Sequence, residues 1–204
     1  MKSIIKQKSG EAGRNAIILN GADGKDTASA HIHTVLVEEL AAVSWNVTSF
    51  TLETLRIAPC LGCFGCWTKS PGVCRMDDDG RKIARAAIRS DVMILFTPVT
   101  FGGYSAELKK ALDRLLCLLA PFFVRIHGEV HHGKRYERYP GLLGIGILDQ
   151  PDPESERIFK TLVHRNALNL HAPTHNAAVL HTGRKMEEYR DTIRWLRTTM
   201  EGIN

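Results

Sequence analysis

Five consecutive apolar residues, Val92-Met93-Ile94-Leu95-Phe96, stand between Asp91 and Thr97 without a polar interruption. A run this short that never alternates reads as a strand buried on both faces, and such strands belong to parallel sheets covered by helices on each side. Parallel neighbours need crossover connections, usually helical. The chain supplies them. Asn15–Asn20 reads as a buried first strand, and a helix follows from about Thr27 to Val43 with Ile32, Val35, Leu36 and Leu40 on one face. Trp45–Leu52 alternates as a second strand, and Asp78–Ser90 is helical with Ile83 and Ala87 inward. After the central run, Ser105 caps a helix from Ala106 to about Leu119. Leu142–Leu148, Glu154–Leu168, Ala177–Leu180 and Lys185–Met200 continue as strand, helix, short strand and helix.

This alternation predicts an α/β fold: a flavodoxin-like, doubly wound, five-stranded parallel sheet of order 2-1-3-4-5 with helices on both faces. A chain of 204 residues is most economically one domain, here 15–204, preceded by a polar, basic, flexible tail over 1–14. Residues 120–140 are too long for a simple connection and read as an insertion before the fourth strand. It either covers the ligand or makes a subunit contact, through Phe122, Phe123, Tyr136 and Tyr139. No apolar run is long enough to span a membrane, and the N-terminus lacks a hydrophobic signal core, so a cytoplasmic protein is expected. The net charge of +5 suits a phosphorylated ligand, while the absence of a basic helix face or aromatic stripe argues against nucleic acid.

In a sheet of this order ligands bind outside the carboxyl ends of the strands, where the chain direction reverses. Two loops meet there. The first, after strand one, offers Gly21, Ala22, Lys25, Thr27 and Ser29 at the start of a helix, where free N–H groups and the helix dipole favour an anion such as a flavin phosphate. Turns of this kind also serve purely structural roles in α/β proteins. The second is Pro98-Val99-Thr100-Phe101-Gly102-Gly103, followed by Tyr104 and Ser105. Its proline fixes a turn, its glycines let backbone approach a flat ligand, and its aromatics supply apolar surface. An isoalloxazine ring wants that mixture, with backbone N–H groups for N5 and the carbonyl edge.

Four of five cysteines, Cys60, Cys63, Cys66 and Cys74, form the pattern C-x₂-C-x₂-C-x₇-C. Three thiolates at x₂ spacing wrap one face of a cuboidal iron–sulfur cluster, and Cys74 is near enough in sequence to be a fourth ligand. Zinc accepts four thiolates but usually from two separated pairs. Reduced thiols without metal are the third reading. Cys117 reads as a small buried hydrophobe, and the nine histidines are scattered without ligand spacing.

The cysteine window, Asp78-Asp79-Gly80, Ser90-Asp91 and its strand, Thr97–Ser105, and Leu108–Arg114 together resemble the NADPH-dependent FMN reductase and iron–sulfur flavoprotein group. The resemblance covers about residues 15–180, and its motifs are most specific over 59–114. It implies a flavodoxin-like fold and a homodimer or homotetramer whose subunits help enclose FMN. By position, Ala22 through Thr27 would hold the phosphate and Pro98 through Gly103 would line the ring. In the iron–sulfur branch the four cysteines would hold a [4Fe-4S] cluster. Two positions depart from the pattern: Ala22 stands where relatives carry serine, and Thr100 where many carry tyrosine. The expected activity is electron transfer from NAD(P)H through FMN to a quinone, flavin or other small-molecule or protein acceptor. No residue is assigned as a general acid or base. The alternatives are an electron carrier between ferredoxin-like partners and a cofactor-less binding protein on the same fold.

Overall fold

Two strands, β1 (Asn15–Asn20) and β3 (Val92–Pro98), lie side by side at the centre of a parallel sheet, with Ala16 opposite Val92 and Asn20 opposite Phe96. The computed structural model describes residues 13–126 and 128–201. β2 (Asn46–Thr51) pairs with the other side of β1, β6 (Gly141–Leu148) with β3, and β7 (His175–His181) with β6. All four pairings are parallel, and the order is β2-β1-β3-β6-β7.

That order departs from 2-1-3-4-5 as numbered. Two strands missing from the sequence reading, β4 (Leu119–Ile126) and β5 (Glu129–Lys134), form a separate antiparallel hairpin between the third and fourth strands of the main sheet. The 120–140 insertion is therefore largely this hairpin. Its central residues Phe122 to Arg125 are all exposed, so no in–out alternation advertises it.

The apolar run of β3 divides its side chains as a doubly covered strand must. Ile94 and Phe96, with Ile18 of β1, face α1 (Thr27–Ala41) and α6 (Met186–Glu201). Met93 and Leu95, with Ile17 and Leu19, face α3 (Asp79–Arg89), α4 (Ala106–Arg114) and α5 (Pro153–Asn169). Burying each such side chain stabilises the fold by about 1.5–3 kcal/mol. On the first face Glu39 of α1 is buried between Arg190 and Arg194 of α6, at 2.7 and 2.9 Å, tying the outer helices together.

One expectation needs correction, and another falls largely outside the described residues. The helix read as 106–119 stops at Arg114, and 115–118 tighten into a 3₁₀ turn. Leu115, Cys117 and Leu118 are all buried against the core in this tighter turn. The tail read as 1–14 falls mostly outside the described residues, but Gly13 and Arg14 are described. The Arg14 carbonyl accepts from Asn46 N–H at 2.8 Å, and its guanidinium lies 5.7 Å over the Trp45 ring, so Arg14 is held against the sheet edge. Among the described residues no helix is long and apolar enough to cross a membrane.

Close approach of α5 to the sheet depends on the glycines of β6. A Cβ at Gly146 would stand 2.6 Å from Val99 Cγ2 and 3.1 Å from Phe159 Cε1. Gly146→Ala is expected to cost about 1–3 kcal/mol by overpacking, read as a lower denaturant midpoint. An unchanged midpoint would show that this contact is looser than the structure has it.

Candidate functional site

The C-terminal ends of β1 and β3 lie side by side at the point where the strand order reverses, the place where sheets of this kind bind ligands. Gly21 continues the sheet by donating to Phe96 O at 2.8 Å, and it lies against the start of α4. A Cβ there would stand 2.5 Å from Ser105 Oγ and 2.8 Å from Leu108 Cβ, so the position requires glycine. The two candidate loops are thereby held in contact at their roots.

Beyond Pro98, the β3 loop is a tight turn. Thr100 N–H donates to Gly103 O at 3.0 Å and Gly103 N–H donates to Thr100 O at 2.8 Å. Phe101 and Gly102 at its tip both have positive φ, 50° and 75°, the signature of a type I′ turn. Neither of their N–H groups has an acceptor among the described residues. Phe101 is 97% exposed, and Val99 is fixed by its N–H bond to Ile147 O at 2.9 Å. The result is a doubly bonded turn with two uncommitted N–H donors and a bare aromatic ring, which fits one rim of a flat heteroaromatic ligand.

The β1 loop is arranged differently. Ala22 is buried and donates to the Asn20 side chain at 3.0 Å. Asp26 caps α1, its carboxylate accepting from Ala28 N–H at 3.0 Å and Ser29 N–H at 3.2 Å. The Ser29 hydroxyl also donates to Asp26, and Ser29 is buried, so it does not face the crevice. Gly24 N–H donates to Glu53 at 2.8 Å, and Lys25 N–H to Asp23 at 2.9 Å. Asp23 N–H, Thr27 N–H and hydroxyl, and the Lys25 ammonium remain without a protein partner among the described residues. These are the donors left for a phosphate, fewer than the sequence promised, since Asn20, Asp23, Asp26 and Glu53 already hold the other N–H groups of the loop.

Next to the β3 turn lies a cavity of about 740 Å³ between α4, α5, the hairpin and the cysteine loop. Leu112, Leu116 and Leu162 give it apolar walls, and Gly103 and Tyr104 form the side shared with the turn. Burial pushes the Tyr104 hydroxyl up to about 12 even though Asn166 donates to it at 2.9 Å, so the phenol keeps its proton throughout the neutral range. A smaller cavity of about 350 Å³ sits at the opposite end of the strands, where Asp91 is already bonded to Asn15 N–H and Arg138.

The cysteine loop is anchored at both ends by a buried ion pair. Arg114 at the end of α4 bonds both oxygens of Asp78, at 2.8 and 2.9 Å, with their side chains 1% and 6% exposed. Arg114 also donates to Ala58 O and Met76 O, the residues flanking the loop, and Asp78 accepts from Ala58 and Gly80 N–H. Within the loop a single helical turn, α2 (Gly65–Thr68), is pinned by Trp67 Nε1 donating to Leu119 O at 2.9 Å. His132 of the hairpin packs between Trp67 and Phe123, with ring centroids 4.7 and 4.8 Å apart.

Cys60 and Cys63 are exposed, Cys66 and Cys74 half-buried, and Cys117 buried. The Gly65 N–H, with the Arg75 charge behind it, lowers the Cys63 thiol, whereas burial raises Cys66 and pushes Cys117 up to about 11. Among the described residues no three His, Cys, Asp or Glu side chains converge into a metal-binding geometry. The expected ligand set of Cys60, Cys63, Cys66 and Cys74 is thus not assembled as a four-thiolate cage in this arrangement. Residues missed in the sequence are Glu53, Asp78 with Arg114, and His132. Only the capping position of Asp78 left a local trace.

Residues 15–136 match the NADPH-dependent FMN reductase family. The chain belongs to that family. An iron–sulfur flavoprotein of Methanocaldococcus jannaschii is 35% identical over 96 residues, 45% of this chain and 49% of that protein. An iron–sulfur flavoprotein of Archaeoglobus fulgidus is 31% identical over 80 residues, 39% of this chain and 36% of that protein. The chain therefore matches about half the length of the first relative and less of the second. Among solved structures, an NAD(P)H:quinone oxidoreductase from Methanothermobacter marburgensis superposes with a TM-score of 0.66 at 13% identity, covering 95% of this chain and 98% of that one. An FMN-dependent NADH-azoreductase from Bacillus anthracis, in complex with FMN, gives 0.61 at 10% identity, covering 92% and 96%. Likeness at that identity establishes the fold of this FMN reductase family member.

The Asp78–Arg114 pair makes a pH-dependent contribution. Burial works to raise the Asp78 carboxyl, but hydrogen bonds from Arg114, Ala58 and Gly80 outweigh it and hold it below the usual carboxylate range. A depressed folded value means stability that is present above the unfolded value of about 4 and is lost as pH falls through the folded one. Asp78→Asn is expected to cost about 3–5 kcal/mol at neutral pH by leaving Arg114 buried and uncompensated, and to flatten the acid limb of stability against pH. A wild-type denaturation midpoint would contradict the anchoring role.

Proposed function

We propose that this chain binds FMN across the crevice at the ends of β1 and β3 and acts as an NAD(P)H-dependent oxidoreductase for a small-molecule acceptor such as a quinone or free flavin. The observation that carries this is the β3 turn: two uncommitted N–H donors and a bare aromatic at the topological switch point. Family membership supports the cofactor. Flavin, when bound, accepts a hydride from a reduced nicotinamide and passes the electrons on.

The protein's part is placement. Phe101 and Gly102 N–H hold the rim of the ring, and Val99 and Pro98 set the height of that rim. Thr27 and Lys25, with Gly21 and Ala22 shaping the loop, hold the ribityl phosphate end, and Thr100 and Gly103 close the turn. The leucine-lined cavity beside Gly103 suits an apolar acceptor, to which the protonated Tyr104 can offer a hydrogen bond. Phe122 and Phe123, 76% and 70% exposed on the hairpin, support a homodimer or homotetramer that covers them. Five free thiols suit a reducing compartment such as the cytoplasm.

A second reading adds a [4Fe-4S] cluster on Cys60, Cys63, Cys66 and Cys74, making the chain an electron carrier between ferredoxin-like partners. Its support is the cysteine spacing together with two relatives named iron–sulfur flavoproteins. Since the thiols do not converge here, no electron step is routed through them. Iron at about four atoms per chain in anaerobically purified protein would establish it, and iron-free protein with full flavin activity would remove it.

Gly102 offers a direct test of the main reading. Its φ is +75°, and a Cβ there would meet Ile158 Cγ2 at 2.6 Å. Gly102→Ala is expected to weaken FMN binding about tenfold, or about 1.4 kcal/mol, by distorting the donor edge. NAD(P)H oxidation with a quinone at limiting FMN should fall with it. Wild-type protein that neither binds FMN nor oxidises NAD(P)H would overturn the proposal.

A further inference from the structure

The loop that should receive the flavin phosphate carries its own anions. Three carboxylates, Asp23, Asp26 and Glu53, bond the backbone of a loop whose one cationic side chain is Lys25. Each already accepts a backbone N–H that an incoming phosphate would otherwise use. Asp26 takes Ala28 and Ser29 at the start of α1, Asp23 takes Lys25, and Glu53 reaches across from the turn after β2 to take Gly24. Ala22 N–H is bonded to Asn20, and its methyl offers no hydroxyl. Asp26 also sits at the positive end of the α1 dipole, the place where a helix start otherwise attracts an anion.

A phosphate carries up to two negative charges, whereas the rest of a flavin is neutral in its oxidised form. The phosphate end of the crevice therefore opposes what the β3 turn attracts. Binding FMN in full contact with this loop requires the dianion either to lie among three carboxylates or to displace them from hydrogen bonds they already make.

Taking the flavin reading of the crevice as its basis, we infer that the β1 loop does not select for the flavin phosphate: the chain recognises the isoalloxazine and ribityl portion, and takes riboflavin as readily as FMN. Glu53, Asp23 and Asp26 are the residues that set this preference. Glu53 matters most, because it is brought to the loop from a separate segment and caps no helix. A flavin held chiefly by its ring exchanges with the free pool, which makes it a substrate that is released reduced. Hydride from the nicotinamide and a proton from solvent are the two additions that convert it, so the reaction balances without a further reactant.

Flavin fluorescence titration of the full chain with riboflavin and with FMN, at low and at high ionic strength, tests this. The expected dissociation constants at low salt lie within about threefold of each other, with FMN tightening as salt screens the carboxylates and riboflavin unmoved. Glu53→Gln, and separately Asp23→Asn with Asp26→Asn, are expected to tighten FMN about tenfold while leaving riboflavin where it was. Asparagine at 26 keeps an N-cap, so the helix start survives. Wild-type protein that prefers FMN over riboflavin a hundredfold or more would overturn the inference and leave the flavin reading standing. Binding of neither flavin would overturn both.

Discussion

The bidentate pair between Arg114 and Asp78 is the constraint on which the site depends. It joins the end of α4 to the start of α3, and through Ala58 and Met76 it closes the base of the cysteine loop. A buried guanidinium is tolerated only when its charge and most of its donors are met, and four bonds within the fold meet them here. Because Ser105 caps α4 directly after the β3 turn, the same pair also fixes where that turn can stand relative to the first loop. Gly21 then packs against Ser105 and Leu108 with no room for a side chain.

The crevice that results has two unlike ends. One presents backbone donors and an exposed aromatic on a turn with little freedom. The other presents a helix start at which Asp26 already takes the Ala28 and Ser29 donors and Thr27 is left free. On the proposed reading, flavin binding there is led by the ring end, and the phosphate end modulates it. The cysteine loop forms a third wall, held to the hairpin through Trp67, His132 and Phe123, so the hairpin shapes the cavity and exposes phenylalanines outward at the same time.

Much of this was legible from the residues alone. Val92–Phe96 announced a doubly covered strand because all five side chains are apolar, and the two ligand loops followed from where that strand and the first one end. What stayed hidden depends on partners distant in sequence. Glu53 reaches Gly24 across 29 residues and Arg114 reaches Asp78 across 36, and neither spacing has a local signature. The hairpin escaped for another reason: the run Phe122 to Arg125 is exposed throughout, so burial never imposed an alternating pattern on it. Ser29 looked like a phosphate ligand because hydroxyls at helix starts often are, yet the neighbouring Asp26 captured it. The cysteine spacing was compatible with a metal cage, but spacing does not fix the loop path that would bring four thiols together.

The central claim is that a flavin ring lies along the turn after β3, and a crystal structure of the protein soaked with FMN tests it most directly. The ring edge is expected within hydrogen-bond distance of Phe101 and Gly102 N–H, with the ribityl chain running toward Thr27. Ring density elsewhere, in the leucine-lined cavity alone or at the opposite end of the strands, would contradict it.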